Sequence, residues 1–260
     1  MKLPMYQVDA FASRIFTGNP AAVVICKSEL SVEIMQSIAT ENNLSETAFV
    51  VVARNEYQIR WFTPTVEVDL CGHATLAAAH VIFNHLKSPQ NKVSFYSKSG
   101  PLHVHKNGEI LRLDFPTDSF TAVEPFEQLI NGLGVTPLEL YKGRDDFLAI
   151  LDNEVSVASL CPNMESLSKV PSRGVIVSSA GTEADFVSRF FAPQSGVPED
   201  PVTGSAHTTL IPYWSKRLAK NHLRARQIST RGGELICKYL GERVEIGGKA
   251  VTYLVGEIFL

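Results

Sequence analysis

Glu46 is the first residue in the chain whose type and setting suggest reaction chemistry. It lies in Leu44-Ser45-Glu46-Thr47-Ala48-Phe49-Val50-Val51-Val52, a run of strong β-formers with an apolar sequel. A carboxylate near the start of such a strand is either exposed at the sheet end or partly desolvated. Desolvation raises a carboxyl pKa, which suits a general acid/base working near neutral pH. A second stretch, Glu199-Asp200-Pro201-Val202-Thr203-Gly204-Ser205-Ala206, combines an acidic pair, a glycine that lets a ligand approach the backbone, and a serine at a helix start. The unpaired N–H groups of a first helical turn attract carboxylates or phosphates, so this loop reads as a pocket floor. His103 and His105 share a strand face and raise the question of a metal. No neighbouring Cys, Asp or Glu offers a third ligand, so they read as surface histidines and no metal is expected.

The elements that position these residues occur twice. Arg60-Trp61-Phe62-Thr63-Pro64 aligns with Arg189-Phe190-Phe191-Ala192-Pro193. Glu67-Val68-Asp69-Leu70-Cys71-Gly72-His73-Ala74 then aligns with the acidic loop: Glu67 meets Glu199, Gly72 meets Gly204, Cys71 faces Thr203 and His73 faces Ser205. Each copy enters an apolar stretch, so the unit is strand, Gly-loop, helix, and its recurrence argues for internal duplication. Two helix starts related in this way are expected to face each other across one cleft.

Around the repeat, Phe16-Thr17-Gly18-Asn19-Pro20 is turn chemistry, with Asn19 read from its type alone as a turn residue. Ser31 can cap a helix running to about Asn42, and Asn42-Asn43 can stop it. Phe115-Pro116-Thr117-Asp118 reads as a domain boundary, and Arg144-Asp145-Asp146 as a solvated lead-in to a strand. Pro212, inside the second apolar helix, should kink it unless it lies near the start. The last strand, residues 251–260, is expected to cross back and complete the first domain. Strands dominate, with one long apolar helix per half. The expected fold is α+β, with domains over residues 1–117 (plus 251–260) and 118–250.

Composition excludes several classes. At 260 residues, 45% hydrophobic and 20% charged, the chain is ordinary globular protein. A formal net charge of −3, with no basic run, gives no support to a nucleic-acid partner. No segment near the start has signal-peptide character and no apolar run has membrane length, so no membrane partner and a cytoplasmic location are expected. The four cysteines lack CxxC spacing and read as reduced thiols, mostly core fillers.

Four ordered motifs, Phe16-Thr17-Gly18-Asn19-Pro20-Ala21-Ala22-Val23, Asn43-Leu44-Ser45-Glu46-Thr47-Ala48-Phe49, Leu70-Cys71-Gly72-His73-Ala74-Thr75 and the Glu199–Ala206 loop, span essentially the whole chain. Together they resemble the phenazine-biosynthesis PhzF family, within the diaminopimelate epimerase-like superfamily. The resemblance implies two pseudo-symmetric domains, each a curled, barrel-like antiparallel sheet around a central helix. It implies a cofactor-independent isomerase acting on a small carboxylated, cyclic metabolite, and a homodimer. By the same resemblance Glu46 looks like the acid/base, and His73 and Asp200 look like pocket groups that bind substrate and relay protons. Ser205, with the backbone around Gly72-His73 and Gly204-Ser205, would hold the carboxylate; Asn19 and Thr203 complete the expected substrate contacts.

The chain departs from the epimerase branch of that superfamily, whose racemases carry two facing cysteines. Here Cys71 occupies one position and Thr203 the other, and a threonine hydroxyl is far too weak an acid to replace a thiol. A two-thiol racemase is therefore disfavoured, leaving a one-base racemase or a fold-retaining interaction protein as the alternatives. A Ser205/His73/Asp200 triad is disfavoured too, because no Gly-x-Ser-x-Gly elbow is present. No phosphate-loop pattern supports nucleotide binding.

Overall fold

The fold is taken from a computed structural model, which describes residues 1–53 and 56–260. The chain divides into two compact units, one made of Met1–Asp114 with Gly247–Leu260, the other of Phe115–Ile246.

The first unit contains β1 (Lys2–Ala10), β2 (Asn19–Cys26), α1 (Val32–Asn42), β3 (Glu46–Ala53), β4 (Glu56–Phe62), β5 (Glu67–Val68), α2 (Gly72–Asn84), β6 (Lys92–Ser97), β7 (Gly100–Asn107) and β8 (Ile110–Pro116). The C-terminal strand Ala250–Phe259 pairs antiparallel with β1. Sequence chemistry sets the ends of α1. The Ser31 hydroxyl accepts from Ile34 N–H, and Asn43 stops the helix in the left-handed conformation at φ 48°. Helix α2 is apolar nearly all round, and it is correspondingly buried from His73 to Ala79 and from Val81 to Phe83. It packs against β1, β2, β3 and the C-terminal strand. Helix α1 covers a separate core containing Leu3, Val24, Met35, Ile38, Phe49 and Phe62.

The second unit contains β9 (Thr121–Ala122), α3 (Glu127–Leu133), β10 (Glu139–Lys142), β11 (Asp146–Ile150), α4 (Glu154–Ala158), α5 (Met164–Leu167), β12 (Gly174–Ala180), β13 (Phe186–Phe191), α6 (His207–Leu218), β14 (His222–Gln227), β15 (Gly233–Tyr239) and β16 (Arg243–Gly248). Trp214 of α6 stacks on Phe186 with ring centroids 5.8 Å apart, and its indole N–H donates to Ser178 Oγ at 2.9 Å. Pro212 lies within α6, where it cannot donate to the Thr208 carbonyl. The backbone N–H of Asp118 donates to that carbonyl at 3.2 Å, so the bond lost to proline is replaced from outside the helix.

The sheets are mixed rather than wholly antiparallel. In the first unit β1–β2, β3–β4 and β6–β7 are antiparallel, while β2–β3 and β4–β6 are parallel. In the second, β10–β11, β12–β13 and β14–β15 are antiparallel, while β11–β12 and β13–β14 are parallel. Parallel pairs require a crossover, and in each unit the crossovers are the connections that carry helices. Among the described residues no helix is long and apolar enough to cross a membrane.

Candidate active site

In the first unit the crossover brings three element starts together. Strands β2 and β3 run parallel with Ala21 beside Glu46, so Asn19 and Glu46 open neighbouring strands at the same end. The turn before Asn19 depends on Gly18, whose φ is +69° and where a Cβ would lie 2.2 Å from the Ala10 carbonyl oxygen. The start of α2 supplies the third part: Cys71 is its N-cap, Gly72 and His73 its first two residues.

The resulting contacts are short. His73 Nε2 lies 3.2 Å from Glu46 Oε2. His73 Nδ1 lies 3.2 Å from the Asn19 amide nitrogen and 3.5 Å from Cys71 Sγ. With the Asn19 NH2 turned to Nδ1 it can only donate, so Nδ1 is the acceptor and the neutral ring carries its proton on Nε2. Burial drives the His73 pKa down to about 3, so the ring is uncharged at neutral pH. Glu46 keeps 19% of its side-chain surface exposed. Asn19 is 0% exposed, so in this structure its amide acts on the cluster through His73.

The other expected site residues gather in the second unit. The Thr203 hydroxyl donates to Asp200 Oδ2, and Thr203 N–H donates to Gln227 Oε1 at 2.8 Å. Gln227 Nε2 in turn donates to the Asp200 carbonyl at 2.8 Å. Gly204 is buried and Ser205 half-buried, just before α6. Ser205 Oγ accepts from Arg173 Nη1 at 3.0 Å, and Arg173 is itself held by Asp146 through Nε at 2.9 Å and through Nη2. Asp146 therefore corrects the sequence expectation of a solvated lead-in. It opens β11 facing inward, is 4% exposed, and meets the guanidinium of Arg173, whereas Arg144 and Asp145 do lie in solvent.

The duplicated motif carries the same hardware in each unit. Arg60 grips Glu67 through Nε at 2.7 Å and Nη2 at 2.8 Å; Arg189 grips Glu199 through Nε at 2.7 Å and Nη2 at 2.9 Å. Such bidentate pairs fix the angle at which each loop leaves its strand. One turn into each helix, a side chain bonds back to the loop: Thr75 Oγ1 donates to the Cys71 carbonyl, and His207 Nδ1 donates to the Thr203 carbonyl at 2.8 Å. Burial lowers the His207 pKa to about 4. Sequence reading did not identify Asp146, Arg173, Gln227 or His207 as site residues. His105 is exposed, and His103 is half-buried with Nδ1 2.9 Å from Ser94 Oγ. Cys26, Cys71 and Cys237 are buried, and Cys161 is exposed.

Comparison with known proteins agrees with this architecture. A family profile described as phenazine biosynthesis-like protein, PhzC-PhzF, matches residues 8–256. The chain is 52% identical to an uncharacterized isomerase of Pseudomonas aeruginosa, over 100% of both chains. It is 40% identical to a phenazine biosynthesis-like domain-containing protein of Bos taurus, over 99% of each. The crystal structure of a PhzF-family protein from Enterococcus faecalis superposes with a TM-score of 0.97 at 47% identity, covering 100% of both chains. A probable proline racemase from Agrobacterium radiobacter shares the fold at a TM-score of 0.67 and 11% identity, over 99% of this chain and 93% of that one. The chain belongs to the phenazine biosynthesis-like PhzC/PhzF family and is an isomerase.

Proposed function

We propose that this isomerase moves a proton between two carbons of a small carboxylated, cyclic metabolite, with Glu46 as general acid/base and no cofactor. The observation that carries the reading is the Glu46 carboxylate at a strand start, 3.2 Å from a buried His73. An uncharged imidazole beside a carboxylate exerts none of the strong acidifying pull of an imidazolium, which suits a carboxylate acting as base toward a C–H bond. The carboxylate accepts the proton from one ring carbon, and the C–H electron pair enters the conjugated system. The resulting carboxylic acid returns the proton to a second carbon, and the electron pair shifts with it. Developing negative charge needs donors, and the first-turn N–H groups at Gly72 and His73 supply a helix N-terminus for that purpose. Asp200, Thr203, Gly204 and Ser205 are proposed to hold polar groups of the substrate, with Ser205 oriented by Arg173.

The test is proton NMR in D2O with a panel of dihydroaromatic acids and α-amino acids. Deuterium uptake with a shifted double bond, present in wild type and lost in Glu46→Gln, is the expected result. Wild-type turnover in Glu46→Gln would remove Glu46 as the base. Exchange confined to an amino-acid α-carbon would make the protein a one-base racemase instead. Ser205→Ala is expected to raise KM by about tenfold with a smaller effect on kcat, as loss of a substrate hydrogen bond does.

A further inference from the structure

We infer that Cys71, His73 and Glu46 also form a site for a soft divalent cation, zinc by its chemistry, whose binding silences the cluster. One ligand-type atom from each of the three residues lies within 4.8 Å of the other two. Thiolate, imidazole and carboxylate are the donors zinc takes, and a sulfur–nitrogen set selects against calcium and magnesium. The geometry is already partly that of a metal site. Zinc with bonds of about 2.1 Å to nitrogen and oxygen sets its ligands roughly 3.4 Å apart, and His73 Nε2 and Glu46 Oε2 are 3.2 Å apart. Cys71 Sγ lies 3.5 Å from the other ring nitrogen, Nδ1, so it must move toward Nε2 to close the third side. Cys71 and His73 are buried and Glu46 is half-buried, so the cluster is withdrawn from bulk solvent.

Binding is balanced as follows. The Cys71 S–H bond breaks, its proton leaves to solvent and a sulfur–zinc bond forms, so thiolate and carboxylate together neutralise the dication. The His73 proton moves from Nε2 to Nδ1, so that the Nε2 lone pair faces the metal. Asn19 serves both tautomers: its NH2 donates to Nδ1 in the metal-free cluster, and with the amide turned over its oxygen accepts from Nδ1–H. An acceptor behind a ligating histidine is the usual support for a zinc site. Sequence inspection directs metal chemistry to His103 and His105, where no third ligand follows in the chain. The cluster that has three donors is assembled from residues 46, 71 and 73 only by folding.

The inhibitory part of this inference rests on the proton-transfer reading above; the binding part does not. The test is titration of the metal-free full-length chain with Co2+ and then Zn2+. A thiolate-to-cobalt charge-transfer band at one equivalent, abolished by zinc, is expected. Cys71→Ser should remove the band and weaken zinc binding at least about tenfold, while the His103→Ala/His105→Ala double variant should bind as wild type does. Absence of the band, or its survival in folded Cys71→Ser, would overturn the site. Should Cys71→Ser fail to fold, Glu46→Gln decides: weaker binding by about tenfold supports the site and unchanged binding sinks it. Deuterium uptake should stop in the zinc-loaded enzyme and return with a chelator. Metal binding without any Glu46-dependent uptake would sink the base assignment and leave the site intact.

Discussion

At the scale of single residues, the cluster is organised by which histidine nitrogen carries the proton. Asn19 fixes that choice from a fully buried position, 3.2 Å from His73 Nδ1. Asn19→Ala should therefore lower kcat by about tenfold or more and leave KM nearly unchanged, because it misdirects the imidazole rather than removing a substrate contact. Nitrogen NMR of His73 should show the Nε2–H tautomer in wild type and a mixture in the variant; an unmixed spectrum with full activity would reject the assignment. Glu46 was visible in the sequence from its strand start, Asp200 and Ser205 from the acidic Gly-loop, and His73 from the repeat and the family resemblance. Asp146 and Arg173 were not visible. They are 27 residues apart, and nothing local distinguishes a buried aspartate from its solvated neighbours Arg144 and Asp145.

At the scale of elements, the site depends on strand starts and helix starts ending at one place, and a few backbone positions enforce this. Gly18 is the sharpest case, combining φ +69° with an approach of 2.2 Å between a built Cβ and the Ala10 carbonyl oxygen. Gly18→Ala should cost about 2 kcal/mol or more of stability and displace Asn19, read as a lower urea midpoint together with reduced kcat. A variant with wild-type midpoint and kcat would show that the turn relaxes freely. Helix caps and turns were legible because Ser31, Asn43 and Gly18 act on their own neighbours. Strand direction was not. The parallel pairing of β2 with β3 follows from how the α1 connection crosses the sheet, and no residue type encodes that by itself.

At the scale of the whole molecule, buried neutral histidines tie stability to pH. His73 and His207 have pKa values lowered from 6.5 to about 3 and about 4, chiefly by burial. In the unfolded chain both return to 6.5, so between these values the unfolded state binds protons that the folded state refuses. Stability should be level above about pH 7 and should fall as pH drops through about 6.5 toward 4. Urea midpoints measured across that range check the sign, and His207→Gln should flatten the slope. An equally steep slope in the variant would place the acid sensitivity elsewhere.

The sequence by itself determined the duplicated strand, Gly-loop and helix. Repeated residue types such as Arg60 with Glu67 and Arg189 with Glu199 survive as pattern, and each forms the same ion pair. It also determined the family, through four motifs whose spacing spans the chain. Only tertiary structure decided what surrounds each reactive group. The protonation of His73, the contact of Asn19 with its ring and the grouping of Cys71 with Glu46 depend on burial and on distances of a few ångströms between segments far apart in sequence. Desolvation and hydrogen-bond partners set chemical behaviour, and both belong to the packed chain rather than to any residue in it.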